Sequence, residues 1–171
     1  MNNKEKQKIK NYFLITQGLD IQEVIEFHKF LLLPPHGTIE KDKPYQDQEI
    51  STWLNLISYQ IKDISPLQNL TNLDYLELSC NKIKDITTLQ NLTNLTCLNL
   101  NDTNSKDITP LQNLLKLTEL NLRNNYIEDI SPLQNLTKLI HLTISNNKIP
   151  KSQIEDLKKA LPNCEIYHDF E

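Results

Sequence analysis

The sequence predicts an α/β solenoid: a parallel sheet of about six short strands, backed by short helical turns and closed at each end by a helical cap. Three observations carry that expectation. The first is periodicity: LDYLELSCNKIKDITTLQNLTN (73–94) is followed without slippage by LTCLNLNDTNSKDITPLQNLLK (95–116) and LTELNLRNNYIEDISPLQNLTK (117–138). One 22-residue step back lies STWLNLISYQIKDISPLQNLTN (51–72), and one step forward LIHLTISNNKIPKSQIEDLKKA (139–160), whose second half changes character. A fixed period of this length marks stacked units, each too small to bury its own apolar face. The second observation is the strict leucine alternation inside each unit, the period of a strand. The third is a helical apolar pattern that replaces the repeat after residue 150.

Taken in order, residues 1–50 carry helix signals and are expected to cap the first repeat. One helix spans 4–16 and ends before Gly18; Asp20 with Glu23 forms a capping box for a second, whose apolar face is Ile21, Val24, Ile25, His28 and Leu32. Pro34 and Pro35 end it, and 36–48 is a polar loop. Residues 51–150 are the repeats. Leu76 and Leu78, Leu98 and Leu100, and Leu120 and Leu122 point inward, and the residues between them outward. The ladder Tyr59, Asn81, Thr103, Asn125, Asn147, Asp169 supplies side chains for the turn after each strand, where a buried amide without a partner costs about 1–3 kcal/mol. Ser65-Pro66, Thr109-Pro110 and Ser131-Pro132 place a capping hydroxyl before proline at the first position of a convex-side turn. Leu67 and Leu70, with their copies Leu89, Leu92, Leu111, Leu114, Leu133 and Leu136, face inward from it.

Residues 151–171 form the second cap. Ser152 with Glu155 reads as a capping box, Ile154, Leu157 and Leu161 share a face, and Pro162 stops the helix. Cys164 and Ile166 fall 22 residues after Leu142 and Ile144, which predicts a sixth strand with Cys164 facing inward as a small core hydrophobe.

The pattern L-x-x-L-x-L-x-x-N-x-I, followed by D-I-S/T-P-L-Q-N-L, resembles the leucine-rich repeat family over about residues 51–168. Its second half is similar to the 22-residue subclass found in bacterial internalin-like proteins and in a eukaryotic regulator of protein phosphatases. The resemblance implies a right-handed solenoid and a binding scaffold. It does not imply one partner, because such scaffolds serve many.

Composition removes several function classes. At 171 residues and 20.0 kDa there is room for one solenoid with a small appendage and none for a second catalytic domain. No apolar stretch of signal-peptide length follows MNNKEKQKIKNYFLI, and Leu31–Leu33 is too short to span a bilayer, so a cytoplasmic, membrane-free protein is expected. Three cysteines without C-x-x-C spacing suggest neither a disulfide framework nor a zinc site. The N-x-T sequons at Asn69, Asn91, Asn94, Asn101 and Asn135 mostly follow the repeat and read as consensus. A net charge of −4 argues against direct nucleic-acid binding. Two glycines cannot build a phosphate loop. The four histidines lack metal-ligand spacing. Cys97 and His141 lie two strands apart, about 10 Å, beyond a catalytic hydrogen bond, and Glu77, Glu119 and Glu165 read as a solvated acidic face. Neither a cofactor nor an enzymatic activity is expected.

The outward sheet face escapes the packing demands of the repeat and is the expected binding surface. Its columns read Trp53, Tyr75, Cys97, Glu119, His141; then Asn55, Glu77, Asn99, Asn121, Thr143, Glu165; then Ile57, Ser79, Asn101, Arg123, Ser145, Tyr167. From these and Asp102, the predicted contacts are Trp53, Tyr75, Glu77, Cys97, Asn99, Asn101, Asp102, Glu119, Asn121, Arg123, His141 and Tyr167. Adjacent aromatics and a lone arginine suit a hot spot, and the acidic balance favours a basic protein partner. The third repeat departs from the pattern at Thr103 and Ser105, read either as drift tolerated by a local bulge or as a partner contact at Asp102 to Ser105. The expected function is a monomeric, non-catalytic protein-binding module of bacterial style, for example an inhibitor of the toxin-immunity or phage anti-defence kind. An adaptor or regulatory subunit, as of a phosphatase, is one alternative, and an internalin-type surface adhesin is another that the missing export signal disfavours.

Overall fold

Leucine alternation followed by a turn every 22 residues yields strands only three residues long. The computed structural model describes residues 52–170, and the expected helical cap over 1–50 lies outside them. The strands are β1 (Trp53–Asn55), β2 (Tyr75–Glu77), β3 (Cys97–Asn99), β4 (Glu119–Asn121), β5 (His141–Thr143) and β6 (Glu165–Tyr167). They form one parallel sheet in chain order. Register is exact to the repeat from β1 to β5, with Leu54, Leu76, Leu98, Leu120 and Leu142 side by side. All five are buried, as are Leu56, Leu78, Leu100, Leu122 and Ile144 in the next column. Each such side chain contributes roughly 1.5–3 kcal/mol by leaving water, so the leucine columns are the main cohesive term.

Opposite the sheet, 3₁₀ turns run over Ser65–Asn69, Thr87–Asn91, Thr109–Leu111 and Ser131–Leu133, each sending one leucine into the core. Their caps correct the sequence reading. No Ser or Thr hydroxyl caps these turns; instead the preceding aspartate does the work. Asp63, Asp85, Asp107 and Asp129 Oδ1 accept the backbone N–H of Ser65, Thr87, Thr109 and Ser131 at 2.8–2.9 Å. A carboxylate two residues upstream makes an Asx turn, which competes well against a hydroxyl for the same N–H.

The asparagine ladder ties successive repeats. Asn81 Nδ2 donates to Leu78 and Leu56 carbonyls (2.7 and 2.8 Å), while its Oδ1 accepts Ile61 N–H at 2.9 Å. Asn147 does the same for Ile144, Leu122 and Ile127. In the third repeat, Thr103 and Ser105 are fully buried. Their hydroxyls lie 2.9 Å apart; Thr103 Oγ1 reaches the Leu100 carbonyl at 3.0 Å and Ser105 Oγ the Ile83 carbonyl at 3.3 Å. Asn125 Oδ1 accepts the N–H groups of both, at 3.2 and 2.9 Å. The departure is therefore an internal polar pair that replaces an Asn–Ile pair, and a partner contact at Thr103 or Ser105 is excluded by their burial.

The C-terminal helix, α1 (Lys151–Ala160), buries Ile154 and Leu157. It starts one residue before Ser152 with Pro150 at the cap, and no side-chain bond forms there, so the expected capping box is absent. Gln153 instead accepts Ile130 N–H at 2.9 Å and donates to the Glu128 carbonyl at 3.1 Å, anchoring α1 to the preceding repeat. An α-helix rises less per residue than a 3₁₀ turn, so the chain spends two more residues before the next strand. Ile166 consequently pairs with Leu142, and Glu165 with His141. Cys164 precedes β6, half-buried, with Sγ 3.8 Å from the Glu165 carbonyl, so its expected place in the inward column belongs to Ile166. Asp169 supplies Oδ2 to Asn146 N–H at 2.6 Å, where earlier repeats use a backbone carbonyl, rather than extending the asparagine ladder.

Candidate protein-interaction face

Parallel register places equivalent residues of every repeat in straight rows on the outer side of the sheet. The first row is Trp53, Tyr75, Cys97, Glu119, His141 and Glu165. Trp53, 41% exposed, stacks on half-buried Tyr75 with ring centroids 5.6 Å apart and planes 28° from parallel. The next side chain, Cys97, is short, and its Sγ lies 3.7 Å from Glu119 Oε2. His141 Nδ1 faces Glu165 Oε2 at 3.2 Å, both groups exposed. The two-residue slip at β6 brings Glu165 into this row, although the sequence spacing had placed it beside Thr143.

The second row does different work. Asn55, Asn99 and Asn121 each turn Oδ1 back onto the backbone N–H two residues ahead, at 3.0–3.1 Å. Glu77 makes the same bond to Ser79 N–H at 2.8 Å and takes a second from Asn99 Nδ2 at 2.8 Å. At 8% exposure Glu77 is not part of a solvated acidic face, which corrects that expectation. The bonds explain why: an outward position at the strand's end must also satisfy the turning backbone. Asn99 and Asn121 are half-buried for the same reason.

In the third row Arg123 is exposed, while Ser79 is buried and Asn101 half-buried. Asn101 Oδ1 begins an edge chain of amides through Asn124 to Asn146, at 3.3 and 2.7 Å. Asp102 is exposed with φ 55°, in the left-handed region that Asp tolerates better than most residues. Tyr167, exposed, sits opposite Thr143 rather than Ser145. Trp53, Tyr75, Glu119 and Arg123 thus share one side of the sheet, and Asp102 adjoins it. The exposed side chains Tyr126, Ile140 and Leu115 carry no outward-strand signal in the sequence.

The electrostatics along the first row are negative. Burial, then the Glu119 carboxylate, pushes the Cys97 thiol up to about 11. Burial, then Glu77, raises the Tyr75 phenol. A hydrogen bond to Glu165 raises that of Tyr167. A thiol held protonated is a poor nucleophile. Among the described residues no cluster of His, Cys, Asp or Glu is arranged for a metal ion, and no helix is long and apolar enough to cross a membrane.

The fold is similar to solved structures of known proteins. Internalin C2 from Listeria monocytogenes is 37% identical with a TM-score of 0.61, over 67% of this chain and 51% of that one. An internalin (inlF) from the same organism is 26% identical with a TM-score of 0.60, over 95% of this chain and 49% of that one. A leucine-rich repeat protein from Leptospira interrogans is 27% identical with a TM-score of 0.56, over 69% of this chain and 36% of that one. The chain spans about half the length of the two internalins. No curated protein matches it. Folds of this kind are generally protein-interaction modules. The family model for paired leucine-rich repeats matches residues 52–91, 71–113 and 116–159, and the chain belongs to the leucine-rich repeat family.

Proposed function

We propose that this protein is a non-catalytic binding module whose exposed, concave sheet face grips a basic surface of a protein partner, as an inhibitor of the toxin-immunity or phage anti-defence kind acting in the cytoplasm. The observation that carries this reading is the stacked Trp53–Tyr75 pair at one end of a row that continues through Glu119. Large rigid aromatics lose little side-chain entropy on binding and dominate interface energetics, while the exposed Glu119 carboxylate, which faces no cationic side chain, steers a basic partner into register.

The test is capture of a partner from native lysate by the immobilised full chain, followed by identification and salt titration. Tyr75→Ala and Glu119→Lys are expected to weaken capture at least tenfold; Glu119 is exposed and its variant should leave the unfolding free energy within about 0.5 kcal/mol of the parent, whereas Tyr75→Ala also loses the stack on Trp53, about 0.5–1.5 kcal/mol. Binding indifferent to salt between about 50 and 500 mM refutes charge steering. Likeness to the two internalins favours a second reading, a surface adhesin, and detection of the native protein on the cell exterior distinguishes it.

A further inference from the structure

Along the outer sheet face a shallow depression of about 280 Å³ runs from Tyr75 past Cys97, Asn99, Glu119 and Asn121 to His141. Tyr75, Cys97 and Glu119 sit on consecutive strands, so the backbones that carry the phenol ring and the carboxylate stand about two strand spacings apart, roughly 9.6 Å, and the carboxylate leans back to within 3.7 Å of Cys97 Sγ. A cation held over an aromatic ring lies within about 6 Å of its centroid, and a charge-assisted N–H···O bond adds about 2.8 Å. One planar, doubly functional cation spans that gap.

The charges point the same way. Among the described residues the only side-chain partner of the Glu119 carboxylate is the Cys97 thiol, a weak donor, because His141 is engaged with Glu165. Behind Asn99 lies the buried Glu77 carboxylate, bonded by the Ser79 N–H and the Asn99 amide, neither of which brings a positive charge. Burial first, and then both carboxylates, raise the Tyr75 phenol and the Cys97 thiol, and Glu77 and Glu119 flank the depression with two negative groups. Asn99 is braced by Glu77 and Trp53 backs the Tyr75 ring, which holds the walls in place before anything binds.

We propose that this depression seats one arginine side chain of the protein partner, its guanidinium stacked on Tyr75 and donating to Glu119 across Cys97. This deepens the sheet-face reading and rests on it. Arginine fits better than lysine because the guanidinium stacks on an aromatic face and presents several N–H donors in one plane, whereas an ammonium is a hydrated point charge. Cys97 matters by being small: a larger residue there fills the space between Tyr75 and Glu119.

The probe is N-acetyl-arginine amide added to the full chain, followed through the backbone amide resonances, with N-acetyl-citrulline amide as the neutral isostere. Saturable shifts confined to residues around Tyr75, Cys97 and Glu119, at least tenfold weaker for citrulline and lost in Glu119→Gln and in Cys97→Leu, support the proposal. Equal response to the two probes, shifts elsewhere on the molecule, or full retention in Glu119→Gln overturns it. Unfolding of each variant in urea shows that the loss is local. A captured partner that is released by Tyr75→Ala but held unchanged by Glu119→Gln sinks the arginine anchor and leaves the sheet-face reading standing; one held by both sinks the two together.

Discussion

Removing the side chain of Asn125 tests the view that the ladder amides, and not only the leucines, hold the repeats together. Asn125 is 6% exposed and bonded on both ends of its amide. Its Nδ2 donates to the Leu100, Leu122 and Arg123 carbonyls at 2.7, 3.0 and 3.1 Å. Each of these carbonyls keeps another donor after truncation: Thr103 Oγ1, Asn147 Nδ2 and Asp102 N–H respectively. The N–H groups of Thr103 and Ser105 do not, since both point at Asn125 Oδ1 from fully buried residues. Two orphaned buried donors cost about 1–3 kcal/mol each, so Asn125→Ala is expected to lose about 4 kcal/mol, a large share of the 5–15 kcal/mol typical of a domain. Asn147→Ala provides the contrast. It orphans the Ile127 N–H and the Ile144 carbonyl, but the Asn147 side chain is itself half-buried, so water can take its place, and about 1–2 kcal/mol is expected. Urea unfolding of both variants gives the two losses, and amide exchange locates them. A loss below about 1 kcal/mol for Asn125→Ala, or one no larger than for Asn147→Ala, refutes the reasoning.

Two further predictions follow from the same structure. Thr103 and Ser105 act as a pair, so Thr103→Asn and Ser105→Ile should each destabilise by about 1–3 kcal/mol while the double change, which restores the Asn–Ile pattern of Asn81 and Ile83, returns most of it; additive losses in a double-mutant cycle would show the two hydroxyls to be independent. With its thiol near 11 rather than 9.0, Cys97 should alkylate at pH 8 about 100-fold more slowly than an ordinary thiol, and faster in Glu119→Gln; a rate equal to that of N-acetylcysteine amide contradicts the environment described. The sign for stability is that of a raised acid: the protonated thiol is favoured in the fold, so its contribution is intact below pH 9 and lost as pH rises from about 9 to about 11, reduced by the partial exposure of the group.

Much of this molecule was readable from spacing alone. A 22-residue period with leucines at alternate positions leaves one way to stack, and the expected register from Trp53 to His141 is the observed one. The asparagine ladder was readable for the same reason, because a turn without glycine needs a side-chain amide. Local hydrogen-bond competition was harder to read. Asp63 and its copies outcompete the neighbouring hydroxyls for one N–H, and Gln153, not Ser152, ties down the last helix. In the candidate site, alternation correctly separated outward from inward positions but could not rank the outward ones. Glu77, Asn99 and Asn121 point outward and still serve the backbone, whereas Trp53, Glu119 and Arg123 do not make that bond.

The sequence by itself determined the sheet, its strand order and the aromatic, acid-leaning row along it, because those depend on a period that every copy repeats. Only the tertiary structure decided that Thr103 and Ser105 form a closed internal pair, that Glu77 is buried, and that Glu165 joins His141. The polar pair is closed by Asn125 and Ile83, 20 and 22 positions away, Glu77 is bonded by Asn99, 22 positions away, and Glu165 is shifted by a helix whose length moves the next strand by two residues. Periodicity carries no information about such departures, since it describes what the repeats share.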